Sequence, residues 1–415
     1  MTAIVGILNK HAVAVAADSA LTVTRGNSRK IFNTCQKIFP LSDGSPVAIM
    51  TYGNTLFMGV PWEVIISLYR KEHGDKSFRT MADCCDDFLS FLRDSSYFSG
   101  KENQKWYFLR ELRQVYDKLT GAAEARAEEE IGQMADPTEE QKKTVVRKHL
   151  MDVLEELPKL CREDGKVEDL KGCSFREFEK FTADFWNEFL VIPEVSIDED
   201  ILDVWHQAMY EYITSEFFYK CSGLVFIGYG SRDLFPSYQS VYVSGIFDGK
   251  LRWYPDDSDQ IQAEKGTAMI CPFAQDDVIM TMVNGIAPDL RAKIEEENRE
   301  ELAGYRKEVI SRLREAGVPE DVIASVGGID NDGYGQTFKK HIESFMNENY
   351  IEGILDAVES FNVEDLADMA GSLISVTNLQ RHFSSSEESV GGPVDVAVIT
   401  KADGFRWVRR KEGLY

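Results

Sequence analysis

MTAIVGILNKHAVAVAADSA, residues 1–20, decides how the rest of the chain is read. Two short apolar runs flank a polar break at Asn9-Lys10-His11. A secretory signal would need an early positive charge and one continuous apolar core, and this stretch has neither. Two apolar runs around a polar break predict a β-hairpin. Taking Asn9-Lys10-His11 as a three-residue loop sets Leu8 opposite Ala12, and the constant index sum then sets Thr2 opposite Asp18. A slip of one residue still leaves the two as neighbours. Once Met1 is removed, a hydroxyl-bearing residue lies beside a carboxylate, and an N-terminal threonine can use its own α-amino group as general base. The plainer reading of the same pair is a hairpin end carrying an incidental threonine.

Composition narrows the function. The chain has 415 residues, 43% of them hydrophobic, enough for a substantial core. A formal net charge of −24 argues against binding to nucleic acid or to anionic membrane, both of which need basic surface. Seven cysteines, an odd number with no C-x-x-C spacing, read as reduced thiols of a cytoplasmic protein. Six histidines are scattered singly, so no metal site is expected. No apolar stretch is long enough to span a membrane.

Further along, SRKIFNTCQKIFPL, SDGSP and VAIMTYG continue a strand-rich start, and NTLFMGVPWEVIISLYRKEH has helical spacing. From about 75 to 218 the chain reads as charged helix, with DPTEEQ as a helix start that places Asp136 as N-cap and Pro137 at the first position. Strands return in SGLVFIGYG, SYQSVYVSGIFDG and KLRWYP, and DDVIMTMVNGI is helical. A polar helical stretch runs from about 288 to 350, followed by a helix in VEDLADMAGSLISVTNLQRHF and a hairpin around Lys401-Ala402-Asp403-Gly404. Blocks of strands alternating with blocks of helices predict an α+β fold rather than a βαβ alternation. GGIDNDGYGQ fails as a calcium loop, because its first and twelfth positions are Gly328 and Lys339, and it reads as a turn. Cys84-Cys85 reads as packing.

TAIVGILNKHAVAVAADS, QKIFPL, AIMTYGN, LVFIGYGSRD and SVGGPVDVAVITKADG, in that order, resemble the strands of proteasome β-subunits and their bacterial relatives, which are N-terminal nucleophile hydrolases. The resemblance implies a four-layer αββα sandwich, here a single domain over 1–415 with helical insertions at about 75–218 and 288–350. It implies Thr2 as nucleophile, Asp18 as the acid behind it, Lys37 as the neighbouring lysine, Gly53 as the oxyanion-hole N–H, and Glu387 where the family has an aspartate. In Glu387-Glu388-Ser389-Val390-Gly391-Gly392, a valine stands where the family carries a serine. The implied activity is cleavage of peptide or amide bonds through an acyl-enzyme on Thr2, without a cofactor, in a homo-oligomer that could work with an ATPase unfoldase. The same fold also accommodates a small-molecule amidase or a non-catalytic ring subunit.

The chemistry fits the residues on its own terms. An α-amino group has a pKa of about 7.7–8.0, so part of it is a free base near neutrality. A lysine ammonium nearby lowers that value, and a carboxylate keeps the lysine charged. Lys30-Ile31-Phe32 and Lys37-Ile38-Phe39 are near duplicates, so motif matching alone does not choose between the lysines. Hairpin geometry does. With Leu41 facing Val47, Lys37 falls opposite Thr51, close to Gly53, whereas Lys30 lies seven residues further back. Lys37 is therefore expected to serve Thr2.

Overall fold

The computed structural model describes residues 2–25, 28–32, 34–42, 44–183, 198–328, 331–383 and 391–411. Glu387 and the neighbouring Val390 lie outside them. Helices and sheets of antiparallel strand pairs make this an α+β protein, as the block pattern predicts. The chain divides into two compact units, Met1–Lys37 with Gln260–Tyr415, and Ile38–Asp259.

The first unit is built on β1 (Ile4–Asn9) and β2 (Val13–Ala17). A two-stranded ribbon follows, β3 (Leu21–Arg25) with β4 (Ser28–Phe32). In the second unit come β5 (Ile38–Pro40), β6 (Val47–Gly53), the short pair β7 (Leu56–Phe57) and β8 (Val60–Pro61), then β9 (Ser222–Gly228), β10 (Ser237–Phe247) and β11 (Lys250–Gln260). The first unit resumes with β12 (Ala268–Ala274), β13 (Asp395–Thr400) and β14 (Gly404–Arg409). Its five-stranded sheet has the order β12-β1-β2-β13-β14, and the sheet of the second unit has the order β11-β10-β9-β6-β5.

The opening hairpin forms, but one step away from the expected register. Leu8 pairs with Val13 and Ile4 with Ala17. The loop is therefore Lys10-His11, closed by the Asn9 N–H donating to the Ala12 carbonyl at 3.1 Å. Asn9 is the cause. Its Oδ1 accepts from the N–H groups of His11 at 2.9 Å and Ala12 at 3.1 Å, a side-chain-closed turn that leaves two residues outside the ladder. Every residue of β1 and β2 is buried. Ala3, Val5, Ile7, Ala14 and Ala16 pack with Ile279, Leu366, Ala370 and Ile374, which come from helices Asp277–Asn284 and Val363–Phe383. The alternation of small and branched residues allows the long helix to lie close to the sheet, where Gly371 has no room for a Cβ beyond 3.2 Å from Val396.

In the second unit, helices Trp62–His73 and Met81–Asp94 cover one face of the sheet through Trp62, Ile65, Tyr69, Phe88 and Leu92 against Ile49, Leu224, Phe226 and Val241. Cys84 and Cys85 are buried in this layer, and burial raises both thiols, which fits packing. Helices Lys101–Gly132, Glu139–Asp164, Phe175–Thr182 and Glu199–Thr214 build a core of their own around Phe108, Leu150, Leu154, Phe178, Trp205 and Tyr212.

Four local expectations are corrected. Residues 54–61 form the β7–β8 pair, so the helix begins only at Trp62. The cap before Glu139 is Thr138, not Asp136. Thr138 Oγ1 accepts from the Gln141 N–H while Gln141 Oε1 accepts from the Thr138 N–H, and this reciprocal box outcompetes the aspartate. AMICPFA, which the sequence pattern leaves unassigned between the strand KLRWYP and the helix DDVIMTMVNGI, is the edge strand β12 beside β1. From Asn331 the GGIDNDGYGQ segment is the start of helix Asn331–Met346, not a turn.

Candidate active site

Thr2 lies two residues before the first residue of β1, Ile4, and is buried, 9% exposed. The observed register puts Ala3, not Thr2, across from Asp18. The Asp18 N–H donates to the Ala3 carbonyl at 3.1 Å, and the Ala3 N–H donates to Asp18 Oδ1 at 2.9 Å. The one-residue slip thus leaves Thr2 beside the carboxylate along the chain, with its peptide link to Ala3 held by Asp18.

Asp18 is 1% exposed, and its two oxygens take four donors. Oδ1 accepts from Ala3 N–H and from Lys37 Nζ at 2.6 Å. Oδ2 accepts from Ala20 N–H at 3.1 Å and Gly391 N–H at 3.2 Å. A carboxylate so saturated is fixed in orientation, and each charge-assisted bond is stronger than a neutral one. Lys37 is 3% exposed. Burial lowers its ammonium from the ordinary lysine value, against the opposing pull of Asp18, and Lys411 lowers it further. A buried amine with a lowered proton affinity beside an oriented carboxylate gives up its proton more readily than an exposed lysine does.

The choice between the two lysines is clear in the geometry. Lys37 is the one on Asp18. Lys30 lies on the β3–β4 ribbon, exposed, with Nζ 4.9 Å from the Phe32 ring centre. In the second unit the β5–β6 hairpin has the anticipated register: Ile38 pairs with Met50 and Pro40 with Ala48.

Gly53 ends β6, opposite Ser222 of β9. Its φ is +75°, and a Cβ there would meet the Cys221 carbonyl oxygen at 2.7 Å. Only glycine fits both demands. The residue after it is pinned: Asn54 N–H donates to the Cys221 carbonyl at 2.8 Å, while Trp62 Nε1 and Ser222 Oγ both donate to the Asn54 carbonyl, at 3.2 and 2.7 Å. Trp62 Nε1 also reaches Ser222 Oγ at 2.8 Å. The end of β6 is therefore held by bonds to both the N–H and the carbonyl of Asn54.

Several participants are given no role in the sequence reading: Ala20, Ser19, Asp395 and Lys411, and Gly391, quoted there only as part of a motif. The main-chain donors carry no side-chain signature. Lys411 and Asp395 come from the last hairpin, and only the sheet order β1-β2-β13-β14 brings that hairpin to Asp18. Among the described residues no group of histidine, cysteine, aspartate and glutamate could hold a metal ion, and no helix is long and apolar enough to cross a membrane.

In comparisons with known proteins, no protein-family model and no curated protein matches this chain.

Proposed function

We propose that the protein is a cytoplasmic, homo-oligomeric hydrolase with an N-terminal threonine nucleophile, built on the four-layer αββα sandwich that its sequence resembles, and that it cleaves peptide or amide bonds. The observation that carries this reading is the saturated Asp18 carboxylate, which grips Lys37 Nζ and the main chain of Ala3 directly after Thr2. Removal of Met1 frees the Thr2 α-amino group. That amine takes the hydroxyl proton as Thr2 Oγ attacks the substrate carbonyl carbon. The tetrahedral oxyanion is assigned to the Gly53 N–H by the resemblance. Collapse expels the amine product, which receives the proton, and leaves an ester on Thr2. Water then adds to the ester, its proton passing to the same α-amine, and the acid product leaves with Oγ reprotonated.

Lys37 and Asp18 act on the amine rather than on the substrate. The buried ammonium disfavours a second positive charge nearby, so the α-amine remains a free base closer to neutral pH. The test is treatment with a fluorescent peptide vinyl sulfone, which a threonine Oγ attacks. Labelling of the native protein that disappears in Thr2→Ala supports the reading. Equal labelling of both proteins, or retention of Met1 in the purified native protein, overturns it.

A further inference from the structure

Ser19, directly after Asp18, is fully buried. Its N–H donates to the Gly391 carbonyl at 3.2 Å, and its Oγ donates to the Pro393 carbonyl at 2.7 Å. The same oxygen also accepts from Lys411. Lys411 Nζ donates to Ser19 Oγ at 3.0 Å, to the Cys35 carbonyl at 2.7 Å and to Asp395 Oδ2 at 2.6 Å. All three ammonium hydrogens are therefore used. The Lys411 N–H donates to the other Asp395 oxygen at 2.8 Å, so the carboxylate holds both ends of the residue. Asp395 is itself buried and paired with Ala17 across the β13–β2 ladder. One residue earlier, Arg410 Nη2 donates to Gln36 Oε1 at 3.2 Å.

The segment after β14 thus grips residues 35 and 36, which lead into Lys37, and residue 19, which follows Asp18. An ion pair serving the last hairpin alone would need only Asp395. The bonds to Ser19 and Cys35 instead fix the two chain segments that carry the Asp18–Lys37 pair, from a position more than 370 residues away in sequence.

We propose that Lys411 is a positioning residue of the Thr2 site, holding the Asp18–Lys37 pair in place through Ser19 and Cys35. The inference rests on the reading of Thr2 as nucleophile for its catalytic consequence, and on geometry alone for the bracing. Among the described residues, the charged and titratable groups acting on the Asp18–Lys37 pair or on the segments that carry it are Cys35, Asp395, Arg410 and Lys411. Lys411 is the second ammonium in that set. It opposes protonation of Lys37 while Asp395 keeps it compensated. Arginine at 411 retains the charge and the donors; methionine retains the stem and loses both.

The experiment compares wild type, Lys411→Arg, Lys411→Met and Ser19→Ala by the rate of labelling with the peptide vinyl sulfone across acid to alkaline pH. In parallel, the 13Cε resonance of Lys37 is titrated in protein carrying labelled lysine. Lys411→Met should label about 100-fold more slowly, the scale expected when a reacting group loses its fixed geometry. Its acid limb should move upward with the Lys37 titration, because a positive charge that opposes protonation is gone. Lys411→Arg should keep most of the rate and the wild-type limb. Ser19→Ala, which keeps the ion pair, should slow labelling several-fold without moving the limb. Folded Lys411→Met with a wild-type rate and limb overturns the proposal, as does equal impairment by arginine and methionine. If Lys411→Met does not fold, wild-type labelling by Ser19→Ala overturns it. If wild type itself is not labelled, the Thr2 reading falls; the Lys37 resonance then decides the bracing, and an unchanged titration in Lys411→Met overturns it.

Discussion

Lys37 Nζ donates to Asp18 Oδ1 at 2.6 Å across 19 residues of sequence, with both side chains almost fully withdrawn from water. Removing one partner of such a pair leaves the other charge buried and uncompensated, which costs about 3–5 kcal/mol. Lys37→Met should therefore lower the melting temperature of the protein markedly and abolish labelling of Thr2. Asp18→Asn removes the charge and sets an amide NH2 against donors that the carboxylate now accepts, so it should destabilise as well and lose labelling. A Lys37→Met protein that labels like wild type would remove Lys37 from the proposed mechanism.

Lys30 is the control. It is exposed on the β3–β4 ribbon, with its ammonium over the Phe32 ring. Lys30→Ala should change stability by no more than about 0.5 kcal/mol, as exposed substitutions do. Its labelling rate should match wild type, measured side by side with Lys37→Met.

Gly53→Ala meets two obstacles, a φ of +75° and a carbonyl oxygen 2.7 Å from the new Cβ. The left-handed conformation alone costs an ordinary residue about 1–2 kcal/mol. Denaturant unfolding should show a loss of at least that size, and amide exchange should speed up at the β6–β9 end. An unchanged midpoint would mean that the strand end relaxes freely and is not a rigid donor.

The buried Arg252 holds the second unit together. Its Nη1 donates to Glu111 Oε1 at 2.7 Å, and its other nitrogens donate to the carbonyls of Ile213, Tyr212 and Phe217, between the rings of Tyr212 and Phe218. Arg252→Met leaves the Glu111 charge uncompensated and takes a donor from the carbonyls of Tyr212, Ile213, Ser215 and Phe217, so a loss of about 3–5 kcal/mol is expected. The double variant Arg252→Met with Glu111→Gln should recover part of it. Additive losses in that cycle would contradict the coupling.

Asp87 gives a pH dependence. Burial pushes its carboxyl up, but bonds from Lys76, Tyr69 and His73 outweigh that and leave it below its ordinary value. A carboxyl lowered in the folded state stabilises above its unfolded pKa, and the contribution is lost as pH falls through the folded one. The difference in stability between wild type and Asp87→Asn should therefore be constant near neutrality and shrink below about pH 4. A difference independent of pH down to the acid transition would contradict it.

The parts legible in the sequence are those written in local patterns. The long helix Val363–Phe383 and the turn at 401–404 follow from spacing and turn residues. The choice of Lys37 followed from a constant-sum register that the β5–β6 ladder obeys. The same arithmetic slipped by one in the first hairpin, because Asn9 closes the turn with its own side chain and so shortens the loop. Strand β12 was missed because AMICPFA lacks alternation: it sits at a sheet edge with most residues half-buried. The bracing by Lys411 was out of reach, since it depends on the order in which β13 and β14 join β2.

The central claim is that Thr2, freed of Met1, is the nucleophile. The most direct measurement is mass spectrometry of the N-terminal peptide after reaction with the peptide vinyl sulfone. The account predicts a peptide beginning at Thr2 that carries one adduct on its hydroxyl, absent from Thr2→Ala and from protein engineered to keep Met1. An unmodified N-terminal peptide alongside an adduct elsewhere in the chain would contradict it.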